Sequence, residues 1–345
     1  MENKIAGEKK NARKEKIDFS SGQDVRWCPG CGDYAILAQM KRVLPYLGIP
    51  REKIVFISGI GCASRFPYYV NTYGIHSIHG RAPTIATGIK LANPELSVWI
   101  ITGDGDSLSI GGNHLIHICR RNLDVNIILF NNQIYGLTKG QYSPTSPRGK
   151  ITKTSPYGSL DEPFNPVSLA LSAGATFVGR TIDRDTKHMA EMFKRAAAHK
   201  GCSFVEVFQN CNIFNDGAYL QFTNPETKPE RVLYLEDGKP LIYGKNKDKG
   251  FRLNGFEAEP VAVSEDSIPD DVIIHNEHLE NVAYAQLLAK LTFHPELPTP
   301  VGVFREVKKT TYEEAVHEQI SRVTEQKGKG DVKQLFITGD TWKVD

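Results

Sequence analysis

The sequence predicts an α/β fold organised on a doubly wound parallel sheet, followed by a C-terminal appendage. Three stretches predict it. Residues 97–132 read as an apolar run (Ser97–Ile101), a polar glycine turn (Gly103-Asp104-Gly105-Asp106), a helically spaced stretch (Asn113–Arg121), a second apolar run (Val125–Phe130) and a second polar turn, Asn131-Asn132. That order is strand, turn, helix, strand, turn. Residues 53–62 repeat the pattern of strand then glycine turn, and residues 166–209 alternate helix and strand twice. Alternation of this kind extends a parallel sheet with helices on its faces. Parallel strands end on the same side, so Asp104 and Asn132 are expected to meet at one edge.

Taken in order, residues 1–20 (MENKIAGEKKNARKEKIDFS) mix Lys, Glu and Asn and lack an apolar core. They read as a solvated, disordered tail and not as a secretory signal. Cys28 and Cys31 form C-x-x-C in a Pro/Gly turn. Tyr34–Leu47 carries Ile36, Leu37, Met40, Val43 and Leu44 on one helical stripe, ended by Gly48 and Pro50. Lys53–Ser58 is a buried strand, and Gly59-Ile60-Gly61-Cys62 is the turn after it. His76, His79 and Arg81 lie in IHSIHGRAP; the two histidines read as hydrogen-bonding residues of a loop near a bound cofactor or a partner chain, without a metal role. Ala82–Ala92 is a helix whose Ala86 and Gly88 permit close packing. His114, His117 and Cys119 fall on the helix between the two polar turns and read as packing or surface residues. Residues 141–165 form a long loop rich in Ser, Thr, Pro and Gly, suited to covering an active site or gripping a partner. Pro166–Ala173, Thr176–Arg180, Lys187–His199 and Ser203–Gln209 then alternate helix and strand. Cys211 follows the last of these strands and Cys202 begins it, at the opposite end.

From residue 218 the pattern changes. Asp237-Gly238 between apolar runs predicts a hairpin across residues 231–244, and KNKDKG a solvated turn after it. Asn276–Leu291 predicts an amphipathic helix, and Tyr312–Thr324 a second. This segment carries no catalytic constellation and reads as an extension wrapping the core or a partner. The domain reading is therefore a tail at 1–20, a cofactor-binding domain at 21–217 and an extension at 218–345.

A chain of 345 residues can bury a core without disulfide support. Its net charge of +2, with both signs mixed, argues against general nucleic-acid or anionic-membrane binding, and no apolar run is long enough for a membrane span. A cytoplasmic setting is expected. Six cysteines in a reducing compartment point to metal, catalysis or burial.

The chemistry lies in the turns. A carboxylate and an amide oxygen are hard ligands suited to Mg2+, and glycines let backbone N–H groups approach a pyrophosphate. Cys28-x-x-Cys31 alone is open between zinc, a redox dithiol and an iron–sulfur cluster. No apolar strand precedes it as in a thioredoxin-like site, and no close second Cys or His pair supports zinc. Cys62, taken alone, would be a small core residue, and Arg65 a surface cation.

GDG followed about twenty-six residues later by Asn-Asn resembles the thiamine diphosphate motif of a pyrophosphate-binding domain. With WCPGCG and SGIGC upstream, the string resembles the beta subunits of 2-oxoacid:ferredoxin oxidoreductases, of the 2-oxoglutarate type in particular. The resemblance is strong over about residues 20–220 and looser beyond. It implies Mg2+ ligation by Asp104, Asn132 and the carbonyl of Ile134. It implies cofactor contacts from Ile60, Gly61, Cys62, Ala63, Gly105, Asp106, Gly136 and Leu137. It implies a [4Fe–4S] cluster on Cys28, Cys31, Cys62 and Cys211. Arg65 is a candidate for a substrate carboxylate; Lys139 could meet a diphosphate or carboxylate, or be merely solvated. The implied reaction is coenzyme A-dependent oxidative decarboxylation of a 2-oxoacid, with thiamine as electron sink and ferredoxin as acceptor. The acid that activates the aminopyrimidine would come from a pyrimidine-binding domain on an alpha subunit, which places the active site between chains. A non-oxidative thiamine-dependent decarboxylase subunit and a metal-stabilised scaffold that binds no thiamine are the competing readings.

Overall fold

A computed structural model describes residues 18–264 and 267–344. The strands are β1 (Ile54–Ser58), β2 (Tyr73–His76), β3 (Ser97–Gly103), β4 (Val125–Asn131), β5 (Phe177–Ile182), β6 (Cys202–Phe208), β7 (Val232–Leu235), β8 (Ile242–Tyr243), β9 (Lys249–Asn254), β10 (Glu257–Ala262) and β11 (Thr299–Glu306). Eight of them form one sheet in the order β2-β1-β3-β4-β6-β5-β11-β7. β2, β1, β3, β4, β6 and β5 run parallel. β11 is antiparallel to β5, and β7 runs parallel to β11. The sheet is thus mostly, not wholly, parallel. β8, β9 and β10 form a small separate sheet.

Every residue of β1, β4, β5 and β6 is buried. Their alternate side chains serve two cores, as expected where helices cover both faces. On one face Ile54, Phe56, Trp99, Ile101, Phe130 and Val205 pack with Ile36 and Met40 of α1 (Asp33–Val43) and with Met189 and Phe193 of a later helix, Thr186–Ala198. On the other, Val55, Ile57, Val98, Ile100 and Ile127 meet Ala82 and Ala86 of α2 (Ala82–Ala92) and Leu115 and Ile118 of the helix Gly112–Arg121. Cys119 and Cys202 are fully buried, their sulfurs 3.8 Å apart, at the sheet edge away from the polar turns.

Several expectations change. Asp104–Leu108, read as a plain turn, is a short helix, α3, and the helix of Gly112–Arg121 follows it as α4. α1 stops at Val43 and tightens into a 3-10 turn, Leu44–Leu47, because Pro45 has no N–H to continue the ladder. The expected tail reaches too far: Phe19 is buried and Ser20 bridges Val70, while residues 1–17 lie outside the described residues. Asp237-Gly238 does not close a hairpin. β7 leaves for the main sheet beside β11, and β8 joins the small one. Tertiary pairing wins there because three of the four β7 side chains are buried against the main sheet. The actual hairpin turns at Gly255-Phe256, between β9 and β10, and Lys249-Gly250 belong to a strand. Helix is confined to Ala283–Lys290, since the Asn276 and Asn281 side chains accept nearby backbone N–H groups and favour turns before it. Tyr312–Lys327 is helical, capped by Thr311 and Glu314, and mostly exposed. The segment after residue 217 therefore both adds a small sheet and feeds two strands into the main one. No described helix is long and apolar enough to cross a membrane.

Candidate active site

The parallel strands end at Ser58, Gly103, Asn131, Ile182 and Phe208, and the turns that follow them share one edge of the sheet. Asp104, at the start of α3, is 2% exposed. Ser143 and Thr145 hydroxyls each donate to its Oδ2 at 2.5 Å. Burial pushes the Asp104 carboxyl up, and these two hydroxyls oppose it. The Ser/Thr-rich loop thus does reach the site, but its two key residues carried no signal in the sequence.

From Asp104 a buried polar chain runs sideways across the sheet. Thr145 Oγ1 also lies 2.9 Å from Asn131 Oδ1. Asn131 Nδ2 donates to Glu206 Oε1 at 2.7 Å, and Arg180 Nε donates to Glu206 Oε2 at 2.6 Å. Arg180 and Glu206 are fully buried, so the ion pair acts as a fixed internal strut. Asn132 is held from the other side: its Nδ2 donates to Gln209 Oε1 at 2.9 Å, and its Oδ1 accepts Ile134 N at 3.2 Å. Gln133 takes φ 57°, a left-handed kink between Asn132 and Ile134.

Gly105 has to be glycine, since a Cβ there would lie 2.2 Å from the Tyr135 ring. The Tyr135 hydroxyl donates to Gly105 O at 3.0 Å, tying the two turns together. Asp106 is 3% exposed and ties two loops to the end of β3. Its Oδ1 meets Gly80 N and His79 Nδ1 at 2.7 Å and Ile60 N at 3.1 Å; its Oδ2 accepts Thr102 Oγ1 at 2.9 Å. The Asp106 side chain is thus spent on the protein's own loops. Any cofactor contact from this position falls to its backbone.

Cys28, Cys31, Cys62 and Cys211 line one cavity of about 200 Å3, with Arg26, Trp27, Asp33, Arg65, Asn132 and Lys139 among its walls. Gly136 lies between two of them: a Cβ there would sit 3.6 Å from Cys211 Sγ and 3.8 Å from Cys62 Sγ. Trp27 Nε1 donates to Cys62 O at 2.7 Å, locking the first cysteine loop to the second. Burial first, then Asp33 and the neighbouring thiols, push Cys62 up to about 11, with Arg65 opposing. Burial likewise raises the Cys31 thiol. Asp33 is buried with neither carboxylate oxygen partnered, and burial pushes it up to about 7. The sequence hides Asp33, which looks like an ordinary first-turn helix acid. Arg65 Nη1 donates to Arg26 O at 3.1 Å, whereas Lys139 is exposed.

The donor sets fit the implied groups. Asp104, Asn132 and the Ile134 carbonyl offer only oxygen, as Mg2+ prefers. Among the described residues, the one group of acid, thiol or imidazole side chains gathered within 4.8 Å is Asp237, Glu277 and His278, and Arg195 already engages the Glu277 carboxylate. The four cavity thiols stand wider than that. Four thiols opening onto one cavity are the donor set that a [4Fe–4S] cluster takes.

Residues 59–207 match the family described as thiamine pyrophosphate enzyme, C-terminal TPP binding domain. The mostly parallel sheet and this match define a thiamine diphosphate-binding domain of pyrophosphate type. The 2-oxoglutarate oxidoreductase subunit KorB of Mycobacterium tuberculosis is 53% identical over 95% of this chain and 88% of its own length. The 2-oxoglutarate synthase subunit KorB of Archaeoglobus fulgidus is 46% identical over 54% of this chain and 69% of its own. A solved 2-oxoglutarate:ferredoxin oxidoreductase from Magnetococcus marinus, bound to 2-oxoglutarate, coenzyme A and succinyl-CoA, superposes with a TM-score of 0.74 at 32% identity, covering 95% of this chain and 98% of that one. The chain belongs to the beta subunits of the 2-oxoacid:ferredoxin oxidoreductases.

Thr145 gives a test of the polar chain. Thr145→Val keeps the volume and removes the hydroxyl between Asp104 and Asn131. A group that orients a metal ligand typically contributes 10- to 100-fold to metal affinity. Thr145→Val is expected to weaken Mg2+-dependent thiamine diphosphate binding by about ten-fold, measured by titration calorimetry, with Thr145→Ser close to wild type.

Proposed function

We propose that this chain, paired with an alpha subunit that carries the pyrimidine-binding domain, oxidatively decarboxylates 2-oxoglutarate. The products would be succinyl-CoA, CO2, the thiol proton and two electrons, the electrons passed singly through a [4Fe–4S] cluster to ferredoxin in the cytoplasm. One observation carries the reading. A single short segment joins both centres: Asn132 and Ile134 belong to the oxygen set with Asp104, while Gly136 lies against Cys62 and Cys211. Electrons released at the first centre would have only a few residues to cross.

Thiamine diphosphate supplies, when bound, the electron sink for the carbanion left by loss of CO2. The protein's part is to hold and to orient. Asp104, Asn132 and Ile134 O would hold Mg2+ and with it the diphosphate. The backbone of Ile60, Gly61, Ala63, Gly105, Asp106, Gly136 and Leu137 would line the cofactor. Cys28, Cys31, Cys62 and Cys211 would hold the cluster. Arg65 and Lys139 flank the cysteine cavity and offer cations to substrate carboxylates. A substrate with a second carboxylate gains most from such a cation, which favours 2-oxoglutarate over pyruvate.

Co-expression of both subunits tests the proposal. The complex is expected to reduce a viologen only with 2-oxoglutarate and coenzyme A together, and neither subunit should do so alone. Release of the aldehyde without dye reduction would instead mark a non-oxidative decarboxylase. Equal rates with pyruvate would overturn the substrate assignment.

A further inference from the structure

One side chain, that of Gln209, touches both the oxygen set and the cysteine set. Gln209 follows β6 directly and is 1% exposed. Its backbone N–H donates to Asn131 O at 2.9 Å, so the sheet itself fixes its place. Its amide faces two ways. Oε1 accepts Asn132 Nδ2 at 2.9 Å, and Nε2 lies 3.4 Å from Cys31 Sγ, the geometry of an N–H···S hydrogen bond. The amide cannot be turned over. Nε2 also donates to Asn210 O at 2.6 Å, and a flipped amide would set two oxygens against each other there. Asn210 O accepts Gly32 N at 3.1 Å as well, which pins the first cysteine loop to the same point. A Cβ on Gly32 would lie only 3.0 Å from Gln209 Cγ.

We propose that Gln209 is a positioning residue for both centres at once: it aims Asn132 at Mg2+ and, through Cys31, sets the potential of the cluster. The inference rests on the thiamine and cluster readings of Asn132 and Cys31. With its oxygen toward Asn132, Gln209 takes up the Asn132 amide nitrogen. Asn132 Oδ1 accepts Ile134 N at 3.2 Å and keeps a second lone pair for a cation. Without that acceptor Asn132 could turn over and present N–H groups, which repel a metal ion. With its nitrogen toward Cys31, Gln209 places the positive end of an N–H at a cluster sulfur. Hydrogen bonds to the sulfurs are one of the terms that set a cluster's potential. A donor there favours the form with the extra electron, so it raises the potential.

Two substitutions separate the two bonds. Gln209→Met keeps the length and removes both. Gln209→Glu keeps an acceptor for Asn132, but its carboxylate has no N–H for Cys31. Titration calorimetry of the two-subunit complex with Mg2+ and thiamine diphosphate is expected to show affinity about ten-fold lower in Gln209→Met and close to wild type in Gln209→Glu. Redox titration of the cluster, followed by EPR, is expected to give a midpoint more negative than wild type in both. Methionine carries no charge, so its shift reports the lost N–H alone. A midpoint in Gln209→Met that is unmoved or less negative overturns the proposal. Wild-type affinity in Gln209→Met does the same, and so does equal weakening of the two variants, the mark of a packing role. Should the variants not retain their cluster, pulsed EPR of reduced wild type carrying 15N in its glutamine side chains decides. Coupling of such a nitrogen to the cluster supports the proposal, and its absence overturns it. Wild type that holds no iron, or binds no thiamine diphosphate, would instead sink the underlying reading, which keeps the two failures apart.

Discussion

Asp104→Ala is expected to abolish Mg2+-dependent thiamine diphosphate binding while leaving the iron–sulfur cluster in place. Of the three proposed ligands, Asp104 is the only anion; Asn132 and Ile134 offer neutral oxygens. Removing it takes away the charge that favours a divalent ion, and both hydroxyls now aimed at Oδ2 lose their acceptor. A ligand at one hundred times its Kd stabilises the folded state by about 2.7 kcal/mol. Wild type should therefore show a clear upward shift of Tm with cofactor and Mg2+, and Asp104→Ala none. Thr145 can turn its hydroxyl to Asn131 Oδ1, 2.9 Å away, but Ser143 is left with hydroxyl neighbours at 3.3 and 3.4 Å. A poorly satisfied buried hydroxyl costs on the order of 1–3 kcal/mol, so the variant should also start from a lower Tm. Asp104→Asn separates the effects, because it can still accept from Ser143 and Thr145. If cofactor shifts Asp104→Ala as much as wild type, the Mg2+ assignment is wrong.

The sequence exposes those parts of the site that are local. Apolar strands ending in Gly-Asp-Gly or Asn-Asn are contiguous strings, and parallel pairing turns them into neighbours: Thr102 and Gly103 of β3 lie beside Leu129 and Phe130 of β4. What supports those strings is not local. Ser143 and Thr145 reach Asp104 from a loop without periodicity, and nothing marks them among the other hydroxyls there. The Arg180–Glu206 strut sits in two strands where a charged residue would be read as solvent-facing, yet both are fully buried because they neutralise each other. His79 looked like an ordinary loop histidine until Asp106 was seen to hold it. The Asp237-Gly238 misreading has the same origin. Turn chemistry proposes a hairpin, but β7 finds a buried partner in β11, far along the chain. Local rules failed where long-range pairing or a buried polar partner decided the outcome.

Cys211→Ala is expected to yield protein without its cluster, whereas Cys119→Ala and Cys202→Ala retain it. The six thiols divide by position. Cys119 and Cys202 touch each other in the core, fully buried and remote from the strand-end cavity. Cys28, Cys31, Cys62 and Cys211 all open onto that cavity. A cubane bound by four thiolates loses a corner when one is removed, and alanine brings no replacement ligand. The contrast also guards against a folding artefact. Cys202→Ala leaves a small void in a close-packed core and should cost stability without costing iron. Cys211 is only half-buried beside an open cavity, so its replacement should do the reverse. Iron and acid-labile sulfide per chain, read with the melting temperature of each variant, give a two-by-two pattern. Full iron in Cys211→Ala would show that another residue closes the fourth corner. Loss of iron in Cys202→Ala at unchanged Tm would move the cluster to the other face of the chain.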